Sequence, residues 1–276
     1  MQLTLHHFNN SVCSEKVRMV LNEKSLSWES REVDLFRGEQ FKPDYLKLNP
    51  KAVVPTLVHD DKVLTESTLI AEYLDEAFSQ PRLSPEAPWD RAQMRLYSKM
   101  CDEGLHQGVA VLSYAAMFMD RLRAMTPEQL RVHLDKIVDL ERRDRQTSIY
   151  QSGVEAPHVY RGVVAFEKAF QKINKVLAGG RSWLAGDRFS LAEINLAPYF
   201  ARLEYMNLLD VWTGDRPLVT QWFARIKDRP SFRTEVVSWI REAEWAEMRT
   251  AGTRIKSRVA EFRENYLATD SGAQIY

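Results

Sequence analysis

The chain has 276 residues, 45% of them hydrophobic and 28% charged, so it is long enough to bury an extensive core in one or two domains. Its 38 basic and 38 acidic side chains balance, which excludes a global field that would attract nucleic acid or anionic lipid. No secretory signal begins the sequence, and no apolar run approaches the roughly 18 residues of a membrane span. The cysteines, Cys13 and Cys101, form neither a disulfide framework nor a zinc motif. We expect a cytoplasmic protein with reduced thiols, no metal, and no nucleic-acid or membrane partner.

The first predicted elements are a strand and a helix. Apolar side chains alternate along residues 2–8 and are followed by a turn-prone Asn-Asn-Ser sequence, which indicates a short strand and its exit. Over residues 13–26 the apolar positions recur at the helical period. Ser11 or Ser14 is available as the N-cap of this helix.

The next elements complete an α/β unit. Residues 27–35 alternate as a second strand, and residues 36–50 form a polar connection with a short helical piece at its end. Two further apolar runs flank a hairpin turn at residues 60–62, and residues 67–78 return to the helical period. The order β-α-β-α-β-β-α predicts an α/β layer with a mixed sheet.

The rest of the chain is helical in pattern. A proline-rich stretch over residues 79–90 indicates a linker, and residues 121–157 form a charge-rich helical insertion, either a solvated surface helix or a lid. Ser190 and Glu193 make a capping box before another apolar helix. These patterns divide the chain into an α/β domain, a linker and an all-helical domain, at residues 1–79, 80–90 and 91–276.

The order of elements and several sequence segments resemble the cytosolic glutathione S-transferases. The segments are SVCSEKVR, GEQFKPDYLKLNPKAVVPTL and SWLAGDRFSLAEINLAPYFARLEYMNL. The first is similar to the zeta class, which includes maleylacetoacetate isomerases, and to bacterial chlorohydroquinone reductive dehalogenases. The stretch HDDKVLTESTLIAEYLDEAF and the insertion resemble bacterial β-aryl-ether-cleaving transferases. The resemblance implies a thioredoxin-like domain that binds glutathione, an all-helical domain with an electrophile pocket, and a homodimer.

The resemblance assigns Ser11 to catalysis. The thiol of glutathione must ionise to react, and the ordinary pKa of such a thiol is about 8.5. A hydroxyl that donates a hydrogen bond at a helix N-terminus favours the thiolate. Ser11 occupies the position that resembles the catalytic serine of the zeta class, and the alternative is a plain N-cap. For Ser14 a structural role in the first turn is the better hypothesis.

Cys13 separates two kinds of reaction. In the dehalogenases that this motif resembles, the corresponding cysteine attacks a glutathione conjugate, and a second glutathione resolves the mixed disulfide. Isomerases carry a cysteine in the same place, so a nucleophile and a local packing or secondary thiol both stay open. Val12 replaces the second serine of the zeta pattern, which argues against the isomerase activity.

The resemblance also supplies glutathione contacts. Gln40 corresponds to a glutamine that reaches the glycyl end, although an exposed loop glutamine is nearly as good an interpretation. Pro55 is expected to be cis, with the backbone of Val54 paired to the cysteinyl part. Glu66 and Ser67, at a helix start, would take the γ-glutamyl ammonium and carboxylate, or serve only as a cap.

We therefore predict a glutathione transferase that adds the thiolate of its co-substrate to a small, apolar, aromatic electrophile, in detoxification or aromatic degradation. One alternative is a reductive dehalogenase or a β-aryl-ether-cleaving enzyme that uses Cys13. Another is a catalytically silent protein of the same fold that serves only to bind a partner.

Overall fold

The structure is a computed structural model that describes residues 2–270 of the chain. The last part of the predicted helical domain, residues 271–276, lies outside the described residues. The chain forms two compact units, and each unit is assembled from separate parts of the sequence. The first unit contains the residues up to Lys99, Gly179–Pro198 and Gln221–Arg241, and the second contains Met100–Ala178, Tyr199–Thr220 and the residues from Glu242 onward.

The first unit is built on a four-stranded sheet. Its strands are β1 at Leu3–His7, β2 at Glu29–Glu32, β3 at Thr56–His59 and β4 at Lys62–Thr65, in the order β2-β1-β3-β4. Strand β1 is parallel to β2 and antiparallel to β3, and β3 is antiparallel to β4. The predicted mixed sheet is therefore confirmed.

The helices of this unit confirm the predicted order β-α-β-α-β-β-α. They are α1 at Val12–Glu23, α2 at Pro43–Leu48 and α3 at Ser67–Ala77. Helix α1 ends earlier than the predicted residue 26, because Ser25 adopts a left-handed φ of 52°. The amide nitrogens of Ser25 and Leu26 then donate to the carbonyl oxygens of Asn22 and Leu21, which closes the helix end as in a Schellman motif.

The rest of the described chain is helical, as predicted. A long helical run over residues 88–123 contains two π-helical turns, Cys101–Leu105 and Tyr114–Phe118. No helix within residues 2–270 has both the length and the apolar character needed to cross a membrane. The helices are α4 at Pro88–Met100, α5 at His106–Ser113, α6 at Met119–Arg123, α7 at Pro127–Asp135, α8 at Leu140–Ser152, α9 at Pro157–Ala178, α10 at Leu191–Tyr205, α11 at Asp210–Thr213, α12 at Pro217–Lys227, α13 at Pro230–Glu235 and α14 at Glu242–Asp270.

The predicted capping contacts are present at the start of α10. Glu193 accepts hydrogen bonds from the backbone nitrogen of Ser190 at 3.0 Å and from that of Leu184 at 2.7 Å. Ser190 Oγ in turn accepts from the backbone nitrogen of Ala192 at 3.2 Å. Burial raises the pKa of Glu193. The carboxylate thus fixes the preceding loop as well as the helix start.

Candidate active site

The sheet register brings the predicted site residues to one edge of the first unit. His7 pairs with Glu32 at the carboxyl ends of β1 and β2, while Thr56, at the start of β3, pairs with His6 and with Thr65 at the end of β4. The segments that follow β1, β2 and β4 and the segment that precedes β3 therefore meet at the same edge. The residues on these segments are Ser11, Cys13, Gln40, Val54, Pro55, Glu66 and Ser67.

Ser11 is the N-cap of α1. Its backbone is extended, with φ of −79° and ψ of 116°, and its Oγ accepts from the amide nitrogen of Ser14 at 3.3 Å. A hydroxyl that accepts in this way still has a proton to donate, and it lies at the positive end of the helix dipole. Ser14 is fully buried and its Oγ accepts from the backbone nitrogen of Phe8, which fits the structural role predicted for it.

Cys13 is the second residue of α1 and is partly exposed, whereas Cys101 is fully buried. Both residues are present as thiols. A thiol in the first turn of a helix lies where the backbone amides favour a thiolate. The position of Cys13 is therefore compatible with a nucleophile.

The segment before β3 contains a cis peptide bond between Val54 and Pro55, as expected. Two side chains hold the carbonyl oxygen of Val53, just before it: Tyr45 donates its hydroxyl at 2.5 Å and Asn49 donates its Nδ2 at 2.9 Å. Burial raises the pKa of Tyr45, which keeps its hydroxyl a donor. Two hydrogen bonds thereby hold the carbonyl group that precedes Val54 in place.

Gln40 lies in a 3₁₀ turn at Glu39–Phe41 and is buried, contrary to an exposed loop position. Its Nε2 donates to the carbonyl oxygen of Leu35 at 3.4 Å. Its Oε1 is buried and has no hydrogen-bond partner among the residues that the structure describes. A buried acceptor without a donor is costly, so an N–H group of a ligand would stabilise it.

Glu66 and Ser67 lie at the start of α3. Glu66 has a left-handed φ of 69°, which is rare for a residue other than glycine and which concentrates at functional sites. Its carboxylate pairs with Lys51 Nζ at 2.7 Å and is about half exposed. Ser67 is buried, and its Oγ accepts from Lys16 Nζ at 3.4 Å. Glu66 occupies the N-cap position of α3 without a capping hydrogen bond from its side chain, so the start of α3 is a polar, strained corner of the site.

The sequence prediction gave no role to three cations that contact this edge, Lys16, Arg18 and Lys51. Lys16 and Arg18 are fully buried. The available signal for Arg18 was its position one turn after Ser14 and one turn before Leu21, which places it on the buried face of the helix.

The second unit contains an open groove of about 610 Å³ between the π-helical turn Cys101–Leu105, α5, α8 and α9. Its floor includes Gly108 and Gly162, where a methyl group on Gly162 would lie 3.0 Å from the Cα of Gly108. Its lining includes five charged side chains and a histidine, namely Glu103, Glu141, Asp144, Arg145, Arg161 and His158. This lining differs from the apolar pocket expected for the electrophile, which stays a prediction.

Two sequence-family comparisons agree with this geometry. The N-terminal domain of glutathione S-transferases matches residues 5–82, and the C-terminal domain of the same family matches residues 142–225. The chain belongs to the glutathione S-transferase family. Glutathione is the co-substrate of this family. The transferase fold, with its small mixed sheet followed by helices, is the one predicted from the sequence.

Individual relatives of the transferase match the groups named by the resemblance. Tetrachloro-p-hydroquinone reductive dehalogenase of Sphingobium chlorophenolicum is 28% identical over 84% of this chain and 95% of its own length. The crystal structure of the β-etherase LigF from Sphingobium sp. strain SYK-6 has a TM-score of 0.76 and 26% identity, over 86% of this chain and 100% of that one. A zeta class glutathione S-transferase of Euphorbia esula is 40% identical over 30% of this chain and 37% of its own length.

Proposed function

We propose that this transferase stabilises the thiolate of glutathione with Ser11 and adds it to an apolar, aromatic electrophile. The observation that carries the proposal is the geometry of Ser11 Oγ, which accepts from Ser14 N and keeps its proton for another acceptor. A thiolate beside it would receive that hydrogen bond at the positive end of α1. Each pKa unit gained in this way raises the thiolate population about tenfold below the pKa.

The remaining contacts hold the tripeptide backbone in this proposal. The orphaned Gln40 Oε1 accepts an N–H of the glycyl end. Val54, next to the fixed Val53 carbonyl, pairs with the cysteinyl part as an added strand would. Glu66 accepts from the γ-glutamyl ammonium, and Ser67 binds its carboxylate with the amides of α3.

The second candidate is a reductive or ether-cleaving transferase that uses Cys13. It is favoured by the partly exposed thiol in the first turn of α1 and by the names of two relatives. In the reductive case the Cys13 thiolate attacks the sulfur of a glutathione-arene conjugate. The S–S bond of a mixed disulfide forms, the carbon–sulfur bond breaks, and the arene takes up a proton. The thiolate of a second glutathione then displaces Cys13 and leaves glutathione disulfide.

A panel of substrates tests both candidates in the full-length protein. We expect Ser11→Ala to lower conjugation of an activated chloroarene at least tenfold, whereas Cys13→Ser leaves that reaction unchanged if the thiol serves only a second step. With halogenated hydroquinones and β-aryl ethers, a reductive enzyme yields a mixed disulfide whose mass is that of the protein plus glutathione less two hydrogen atoms, and Cys13→Ser abolishes it. A protein that binds glutathione but turns over no substrate in the panel contradicts both candidates and supports the silent binding protein.

Two further expectations belong to this proposal. We infer that the transferase is a homodimer, and sedimentation at low concentration tests the expected mass of two chains. The domain boundaries near residues 79 and 91 also stay predictions, and limited proteolysis within residues 80–90 checks them.

A further inference from the structure

Arg18, on α1, is fully buried, and every N–H group of its guanidinium donates a hydrogen bond. Its Nε donates to the carbonyl oxygen of Glu235, its Nη1 to His7 Nδ1 and to the Phe8 carbonyl, and its Nη2 to the carbonyls of Asn9 and Glu235, at 2.7 to 3.2 Å. A guanidinium has five N–H donors, and these five contacts use all of them. An ammonium group has only three donors and cannot replace it.

Two of these acceptors belong to the loop that leads to Ser11. The carbonyl oxygen of Phe8 accepts from Arg18 Nη1 at 3.1 Å and also from the backbone nitrogen of Ser11 at 3.3 Å. The Asn9 carbonyl accepts from Arg18 Nη2 at 2.7 Å. One shared acceptor therefore separates the guanidinium from the backbone of Ser11, so the position of the guanidinium fixes that of the loop.

The other side of Arg18 is held by a segment that is distant in sequence. Its guanidinium carbon lies 4.6 Å from the ring centroid of Trp239, and Asn9 Nδ2 donates to the Trp239 carbonyl at 3.4 Å. Trp239 Nε1 donates to the Glu235 carboxylate at 3.3 Å. The ring of His7 meets Trp239 edge-on at a centroid distance of 5.0 Å. We call His7, Arg18, Glu235 and Trp239 the Arg18 clamp.

We propose that Arg18 is a positioning residue for the Ser11 hydroxyl and that segment 235–239 takes part in thiol activation through the Arg18 clamp. The inference rests on the proposed role of Ser11. A hydroxyl that donates to a thiolate must be held close to one geometry, because hydrogen bonds weaken steeply as their angle and distance depart from the optimum. The clamp supplies that restraint through the hydrogen bonds of Arg18 to the carbonyl oxygens of Phe8 and Asn9.

Arg18→Lys tests the proposal, with Arg229→Lys as its matched control. Arg229 also ties α1 to the chain near α13, since its Nε and Nη2 donate to Glu23 at 2.7 Å, but Glu23 lies at the other end of α1 from the loop. The measurement is the titration of the thiol of bound glutathione, followed by its ultraviolet thiolate absorbance. We expect the pKa of the bound thiol to rise by about one unit in Arg18→Lys, a roughly tenfold loss of thiolate near neutral pH.

The expected pattern separates positioning from mere stability. In Arg18→Lys the KM for glutathione changes less than about threefold and the acidic limb of kcat/KM shifts with the thiol pKa, because the other tripeptide contacts are intact. Arg229→Lys keeps the wild-type thiol pKa. A purely structural role for Arg18 would instead lower the active fraction equally at every pH and leave the thiol pKa where it was.

A second variant covers the case in which Arg18→Lys does not fold. Trp239→Leu removes the ring below the guanidinium and leaves the loop contacts of Arg18 in place, and we expect a smaller shift of the thiol pKa in the same direction. If Ser11→Ala raises the thiol pKa while Arg18→Lys, or Trp239→Leu in its place, titrates as wild type, the positioning role is wrong and the role of Ser11 stands. If Ser11→Ala also titrates as wild type, both proposals are wrong.

Discussion

At the Ser11 end of the candidate site a buried guanidinium holds a relaxed backbone, whereas at the Glu66 end a surface ion pair accompanies a strained one. Ser11 has an extended backbone behind which Arg18 is fully buried. Glu66 has a φ of 69°, and its partner Lys51 has a side chain that is 69% exposed. Buried contacts are thus concentrated where the thiol would be activated, whereas the ion pair of Glu66 and Lys51 lies at the surface.

The largest expected effect is the loss of stability in Arg18→Met. The variant leaves the buried carbonyl oxygens of Asn9 and Glu235 without these donors, while the Phe8 carbonyl keeps the amide of Ser11 as its donor. Each unsatisfied buried acceptor costs about 1–3 kcal/mol, so we expect the free energy of unfolding to fall by about 2 kcal/mol or more. Urea unfolding at neutral pH measures it. A loss below about 1 kcal/mol would mean that the contacts at the Ser11 end contribute no more to the free energy of unfolding than those at the Glu66 end.

The second expected effect is a dependence of stability on pH at the Ser11 end. Burial, with the charges of Arg18 and His6, lowers the pKa of His7 to about 3. Below the unfolded pKa near 6.5 the unfolded chain binds a proton that the folded one does not, so stability is full above pH 6.5 and falls as the pH falls towards 3. The slope from one such histidine is about 1.4 kcal/mol per pH unit.

His7→Gln isolates this contribution, because glutamine can still accept from Arg18 and donate to Ser30, the two contacts that the imidazole makes. We expect urea unfolding between pH 6.5 and 5 to show a shallower loss of stability in the variant than in the wild type. Parallel pH curves for the two proteins would contradict a neutral, buried His7.

A smaller effect is expected midway between the two ends, in Tyr45→Phe. The variant removes the hydroxyl that donates to the Val53 carbonyl and contacts Thr56 Oγ1, while Asn49 continues to hold that carbonyl. We expect a loss of about 1 kcal/mol in stability and a severalfold rise in the KM for glutathione, with the thiol pKa unchanged. A changed thiol pKa would show that the Val54 segment, too, takes part in activation.

The smallest effect is expected for Lys51→Ala at the Glu66 end. Exposed ion pairs contribute about 0–1 kcal/mol and are screened by salt, so the free energy of unfolding should change by less than about 1 kcal/mol. The KM for glutathione should change less in high salt than in low salt. A loss as large as that of Arg18→Met would remove the contrast between the two ends.

Much of this arrangement was predictable, because local patterns determine it. The alternation of strands, the Ser190 and Glu193 cap and the Ser11 N-cap each depend on neighbours within a few residues. The clamp was not predictable, since Arg18 meets Glu235 across 217 positions of sequence. The early end of α1 was missed as well, because Ser25 takes a left-handed conformation in which glycine is the usual residue.

The positions of the site residues follow from the sheet register, whereas the features that indicate their roles were not predictable. The register explains why Gln40, Val54 and Glu66 share one edge, but no local pattern indicates that Gln40 is buried with an orphaned Oε1 or that Glu66 is strained. Both features arise from tertiary packing. They support the proposed glutathione contacts beyond the resemblance, because a buried acceptor without a donor is costly and because strained backbone concentrates at functional sites.

The measurement that tests the central claim most directly is the thiol pKa of bound glutathione, compared between the protein that keeps Ser11 and Ser11→Ala. Both proteins also carry Cys13→Ser, so that the Cys13 thiol in the first turn of α1 does not contribute to the titration. We expect the bound thiol in the protein that keeps Ser11 to have a pKa at least about one unit below the ordinary 8.5, and the pKa to return towards 8.5 in Ser11→Ala. Equal thiol pKa values in the two proteins would contradict the proposal that Ser11 activates glutathione.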